Sequence, residues 1–166
     1  MISTSDIFDS NPDKVAVCDL QFRSFGLRTA FSGPCFTVKV YEDHRLVKET
    51  FSAPGNGQVL VVDGGGSMRV GLLGDVMVGL AIRNGWAGAI LNGVIRDSVA
   101  LGTLEFGIKA LGTTARRSGE NRGGQVGVAL NFGGVEFRPG WFVYADADAV
   151  LVSPVELTIT DTGTAS

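Results

Sequence analysis

GLLGDVMVGLAIRNGWAGAILNGVIRD, residues 71–97, decides the fold. Leu73, Met77, Leu80 and Ala81 recur at helical spacing within a segment running from about 70 to 84, and Asn84-Gly85 supplies a C-terminal stop. AGAILNG (87–93) is instead a short continuous apolar run, the pattern of a strand covered on both faces. The same pattern precedes this stretch in QVLVVDGGG (58–66) and follows it in FGIKALGT (106–113), with RDSVALGTL between them as a short helix or turn. Strand, helix, strand, helix, strand in this order predicts βαβ units with parallel pairing and right-handed crossovers.

The flanking sequence reads differently. CFTVKVY (35–41) alternates apolar and polar residues as a half-buried strand does, EDHRLVKE is a polar break, and SAPGNG is a loop. GQVGVAL, GGVEFRPG and WFVYADADAVLV read as shorter strands joined by Gly and Pro turns, which predicts a second, mostly antiparallel β layer. Residues 1–14 form a helical or irregular lead-in, and the polar tail at 160–166 is expected to be disordered. The expectation is an α/β protein with one domain spanning 1–166.

Composition narrows the function classes. A 166-residue chain with 45% hydrophobic residues can build its own core. Twenty-four glycines exceed the usual ~7% and point to tight turns or backbone-lined sites. A net charge of -3 disfavours a phosphate-binding face, so nucleic acid is not the expected partner. Neither an apolar run long enough to span a bilayer nor a signal-peptide pattern occurs at the start, so the expected location is cytoplasmic, away from membranes. Cys18 and Cys35 have no Cys or His neighbour at metal-ligand spacing and read as free thiols.

The chemistry lies at the ends of the deciding stretch. In a parallel βαβ unit, ligands favour the crevice beyond the carboxyl ends of the strands, and both Gly74-Asp75 and Arg96-Asp97 fall at that edge. Free N–H groups at a helix start suit a carboxylate. Arg96 can hold an oxygen-rich substrate, while Asp75 and Asp97 are hard oxygen ligands suited to Mg2+ or Mn2+. Spacing alone is equally compatible with Asp75 complementing the helix dipole and Arg96-Asp97 forming a surface ion pair. Elsewhere, DGGGS lacks the Gly-Lys-Ser/Thr end of a P-loop. Lys109 offers a Schiff-base amine or a lysine snorkelling at a strand edge, and His44 lies in a polar turn expected to be solvated. Arg116, Arg117 and Arg122 make either a solvated loop or a patch for an acidic partner.

LQFRSFGLRTAFSGP, VLVVDGGGSMR, GLLGDVMVGLA, GWAGAILNGVIRD, GIKALGT and NFGGVEFRPGWFVYAD closely resemble the family of the bacterial regulator of ribonuclease activity A, related to the class II 4-hydroxy-4-methyl-2-oxoglutarate aldolases. The resemblance runs from about residue 17 to 154. It implies an α/β/β swivelling-domain sandwich assembled as a homotrimer. The aldolases carry glycines and an Asp followed by Arg-Asp, matched by Gly71, Gly74, Asp75, Arg96 and Asp97. By that resemblance Asp97 ligates the divalent metal, Mg2+ or Mn2+, and Asp75 reaches it through water. Arg96 binds the keto oxygen of the substrate, and the backbone at Gly74, Asp75, Val76 and Met77 cradles its carboxylate. Longer aldolases add an acid from a neighbouring subunit's C-terminal extension, for which no counterpart is evident here; at Ala149 the family commonly has glycine, a change expected to affect only a turn. The resemblance implies a metal-dependent pyruvate aldolase acting on 4-hydroxy-2-oxo acids, with related oxaloacetate decarboxylation. Its alternative is a protein-binding regulator of ribonuclease E, a function the family's named regulators perform without those acids.

Overall fold

The computed structural model describes residues 3–119 and 123–158. The first half contains α1 (Thr4–Ser10), β1 (Ala16–Val17), β2 (Arg23–Phe25), β3 (Phe31–Lys39), α2 (Arg45–Phe51), β4 (Val59–Asp63) and α3 (Asp75–Arg83). There follow β5 (Gly88–Asn92), β6 (Val94–Ile95), α4 (Ser98–Leu101), β7 (Gly107–Ala110) and β8 (Gly112–Thr113). Short strands complete the chain: β9 (Gln125–Val126), β10 (Leu130–Phe132), β11 (Val135–Phe137), β12 (Phe142–Ala145) and β13 (Val150–Ser153). The tail expected to be disordered lies outside the described residues.

The parallel core forms as the apolar runs predict. β4 pairs in parallel with β3 on one side and β5 on the other, and β5 pairs in parallel with β7. β2, which the sequence did not suggest, closes that edge in antiparallel pairing with β7. β3 serves two sheets: its start pairs antiparallel with β12, and its end runs parallel to β4. β12, β13 and β1 extend the antiparallel part.

The pleat explains why β4 has no polar face. Leu60 and Val62 pack towards the helices with Val47, Phe51, Val78 and Ala81, whereas Val59 and Val61 pack towards Leu130, Phe137, Val143 and Val152. Successive side chains enter opposite cores, so each must be apolar. Truncating Leu60, which has no solvent exposure, to alanine would cost about 2–5 kcal/mol. This is the expected α/β/β arrangement of helices, a central sheet and a second β layer.

Several boundaries differ from the sequence reading. The helix begins at Asp75, as the placement of a helix start near Gly74-Asp75 expects, while residues 71–73, within the reach of the helical spacing, run extended beside β6. The strand expected at 35–41 spans Phe31–Lys39, and the one expected at 106–113 is interrupted at Leu111. The supposed polar break contains α2, a two-turn helix burying only Val47 and Phe51, a stripe too sparse to register in the sequence. Among the described residues no helix is long and apolar enough to cross a membrane. Cys18 and Cys35 are free and buried, and burial pushes the Cys35 thiol up to about 12.

Candidate active site

The site is built on short extensions of the parallel sheet. β5 and β7 break at Gly93 and Leu111 and resume as β6 and β8, which pair with each other in parallel. The segment 71–73 joins them: Gly71 N–H donates to Arg116 O at 3.0 Å, Leu72 N–H to Val94 O at 2.9 Å, and Arg96 N–H to Leu73 O at 2.8 Å. This pairing delivers the start of α3 to the end of β6, where Arg96 and Asp97 stand.

Two glycines make the contact close. The stem of Arg96 crosses over Gly71, and a Cβ on Gly74 would lie 2.7 Å from Asp97 Oδ2. Gly74 has ordinary extended backbone (φ -141°), so its lack of a side chain matters for space and not for conformation. Asp97 adopts the left-handed region (φ 59°, ψ 39°), which turns the chain from β6 into α4 and suits Asp and Asn better than most residues.

The start of α3 already holds carboxylates. Asp75 N–H donates to Asp97 Oδ2 at 3.3 Å, and Val76 N–H donates to Asp75 Oδ1 at 2.8 Å. The first turn of a helix leaves such donors without intrahelical partners, and its dipole favours negative charge. Met77 lies one position further along, its side chain buried.

Asp75, Arg96 and Asp97 are shared by two adjoining cavities. The smaller, about 240 Å3, is walled by Gly71, Gly74, Val76, Met77, Arg117, Ser118, His44 and Lys48. The larger, about 800 Å3, opens past residues 98–100 and 113–115. Exposed Val76 and Val99 mark the rim. Among the described residues no ion pair joins Arg96 to Asp97, so the surface-pair reading is not what the chain forms, and Arg96 is half-buried. No cluster of three or more His, Cys, Asp or Glu that could hold a metal occurs among the described residues. A cation held here would rely on Asp97, Asp75, water and substrate oxygens.

Other candidates fall into place. The DGGGS loop spends its N–H groups internally, Gly64 and Gly66 donating to Asn92 O and Gly65 to Asp63 Oδ1, which leaves no phosphate cradle. Lys109 does not snorkel and is not at an edge: β2 covers its strand, the residue is 3% exposed, and Nζ donates to Ser24 Oγ (2.6 Å) and Thr29 O (2.9 Å). Arg116 donates to Arg69 O, Arg117 lines the smaller cavity, and Arg122 lies outside the described residues. His44 departs most from expectation, being a half-buried part of the cavity wall tied to Ser118 by its backbone N–H (3.0 Å) and by Nδ1. Nothing in EDHRL signals this, because the contact comes from a segment far along the chain.

A model of the RraA-like family, described as aldolase/RraA, matches residues 4–152. The chain belongs to this family. Among its RraA-like relatives, a protein of Aromatoleum aromaticum provisionally named 4-hydroxy-4-methyl-2-oxoglutarate aldolase is 49% identical over 154 residues, covering 93% of this chain and 97% of that one. A Laribacter hongkongensis protein with the same provisional name is 48% identical, covering 91% and 95%. Of solved structures, the RNA-processing inhibitor RraA from Thermus thermophilus superposes with a TM-score of 0.92 at 38% identity over 99% of both chains. A Geobacillus kaustophilus structure, titled S-adenosylmethionine:2-dimethylmenaquinone methyltransferase, also gives 0.92, at 46% identity over 94% of this chain and 97% of that one. One RraA-like fold thus carries three functional names.

Proposed function

We propose that this RraA-like protein is a divalent-metal-dependent lyase. It cleaves 4-hydroxy-2-oxo acids of the 4-hydroxy-4-methyl-2-oxoglutarate type to pyruvate, with oxaloacetate decarboxylation as a related reaction. The observation that carries this reading is the convergence of an uncommitted Arg96, two acids and a helix start that already grips carboxylate oxygens. The aldolase names of relatives at 49% and 48% identity support it.

The donor set fits Mg2+ or Mn2+, which bind through one or two carboxylates and keep several waters. Asp97 would hold the ion directly and Asp75 through water; bound there, the ion supplies Lewis-acid stabilisation of charge on the keto and carboxylate oxygens. The N–H groups at Gly74, Asp75, Val76 and Met77 would orient the substrate carboxylate. Arg96 would face the keto oxygen, where negative charge develops as the carbon–carbon bond breaks. Asp75 would order the water that carries a proton away.

The family resemblance implies a homotrimer, and exposed Val76 and Val99 beside the open cavity fit a rim covered by a second copy. Light scattering should then give three times the 17.4 kDa chain mass, and a monomer would refute it. The functional test is pyruvate release by the purified protein with Mg2+ and after chelation. Turnover that needs the metal is expected, whereas full turnover in excess chelator overturns the mechanism. The alternative, a protein-binding regulator of ribonuclease E, is favoured by the near-complete match to the Thermus inhibitor. It predicts ribonuclease inhibition without pyruvate release.

A further inference from the structure

We propose that His44, oriented by Ser118, is the base that removes the C4-hydroxyl proton during aldol cleavage. The inference rests on the aldolase reading and adds a residue to it.

The hydrogen bonds around Ser118 show which ring nitrogen is already engaged. A serine hydroxyl has one hydrogen and two lone pairs. Here the Oγ–H donates to Gly119 O at 3.2 Å, and Oγ accepts the backbone N–H of His44 at 3.0 Å. The remaining contact joins Oγ to Nδ1 of His44. With Nδ1 engaged by Ser118, Nε2, which has no protein partner among the described residues, is the nitrogen that can take a proton when the ring carries its hydrogen on Nδ1. Ser118 itself is 6% exposed, and Asp43, next to His44, is 1% exposed and bridges to Gly119. The turn is thus clamped to the 118–119 segment and the imidazole has a fixed seat.

The water that Asp75 would order can carry a proton onward, which leaves open the group that first takes it from the C4 hydroxyl. Asp97 and Asp75 accept hydrogen bonds from the start of α3, and Lys48, Arg96 and Arg117 are cations without a lone pair to offer. Aldol cleavage needs a base at the C4 hydroxyl. His44 Nε2 takes that proton, the O–H electron pair becomes the new C4=O bond, and the C3–C4 pair moves into the enolate of pyruvate. The imidazolium then returns its proton to solvent, while water protonates C3, so protons and charge balance. Oxaloacetate decarboxylation forms the same enolate by loss of CO2 and has no hydroxyl to deprotonate.

That difference supplies the test. His44→Asn keeps a side-chain N–H able to reach Ser118 but has no basic nitrogen. It should lower kcat for cleavage of 4-hydroxy-4-methyl-2-oxoglutarate by about 100-fold or more, with oxaloacetate decarboxylation changed less than about threefold. Ser118→Ala, which frees the ring, should lower cleavage by about tenfold and also spare decarboxylation. Equal losses in both reactions would assign His44 a purely structural role, and no loss in either would remove it from the chemistry. A wild-type protein that performs neither reaction would overturn the aldolase reading and this role together.

Discussion

Arg96 and Gly71 are packed so closely that a β-carbon on the glycine would lie 2.3 Å from Arg96 Cγ and 2.8 Å from Cδ. Real β-carbons do not approach other atoms that closely, so the guanidinium can sit where it does only above a residue without a side chain. Gly71→Ala should therefore act as an arginine mutation at one remove. Pyruvate release should fall about 100-fold, with a stability loss of about 1–3 kcal/mol from overpacking. Unchanged kinetics in a folded Gly71→Ala protein would show that Arg96 does not need this seat.

Arg96→Lys tests the guanidinium itself. The side chain is half-buried without an ion pair among the described residues, so the fold should tolerate the change with a Tm shift of no more than a few degrees. Lysine keeps the charge but loses the planar fork that grips two oxygens. A loss of about 2–3 kcal/mol in transition-state stabilisation, about 30- to 150-fold in kcat/KM, is expected. A ribonuclease regulator would instead be indifferent to this substitution.

Asp97 combines an acid with a left-handed backbone, and two substitutions separate the two properties. Asn tolerates φ 59° nearly as well as Asp, whereas Ala pays about 1–2 kcal/mol there. Both variants should lose Mg2+ binding by titration calorimetry and most pyruvate release, but only Asp97→Ala should unfold at clearly lower urea. Retained metal binding by Asp97→Asn would take Asp97 out of the ligand set.

Two groups far from the cavity should shape stability against pH. Burial lowers the pKa of Lys109, and Asp146 only partly opposes it, so folding sheds a proton and stability rises as pH climbs towards the ordinary lysine value. For Asp146, burial raises the pKa, but hydrogen bonds from the Thr4 N–H and hydroxyl and from the Asp148 and Ala149 N–H groups outweigh it. The net value is lowered, so its stabilisation is lost as pH falls through the folded pKa. Urea midpoints should lose their alkaline rise in Lys109→Met and part of their acid loss in Asp146→Asn. Pyruvate release by Lys109→Met should persist, and borohydride should trap no substrate on this lysine; an adduct would restore the Schiff-base route.

The parts of this architecture legible in the sequence are those where neighbouring residues share one environment. VLVVD and GAILN announce buried parallel strands because both faces of each are covered, and the turn residues Asn84-Gly85 mark the end of α3. Gly74, Asp75, Arg96 and Asp97 could be paired across one helix and one strand because βαβ geometry forces their ends together. What stayed hidden depended on contacts from elsewhere. α2 is a helix through Val47 and Phe51 alone, β2 exists only because β7 needs a neighbour, and His44 reaches the cavity through Ser118. The change at Ala149 is expected to concern only a turn, yet the same turn holds Asp146, which anchors α1 through Thr4.

The interruptions at Gly93 and Leu111 divide each of two strands into a structural shaft and a working tip. The shafts, β5 and β7, belong to the close-packed interior, while the tips carry the chain to Arg96, Asp97 and residues 113–115. Val94 and Ile95 still belong to that interior, but the side chains after them, from Arg96 onward, can be exchanged without repacking it. Relatives with a TM-score of 0.92 but different functional names are what such a division allows.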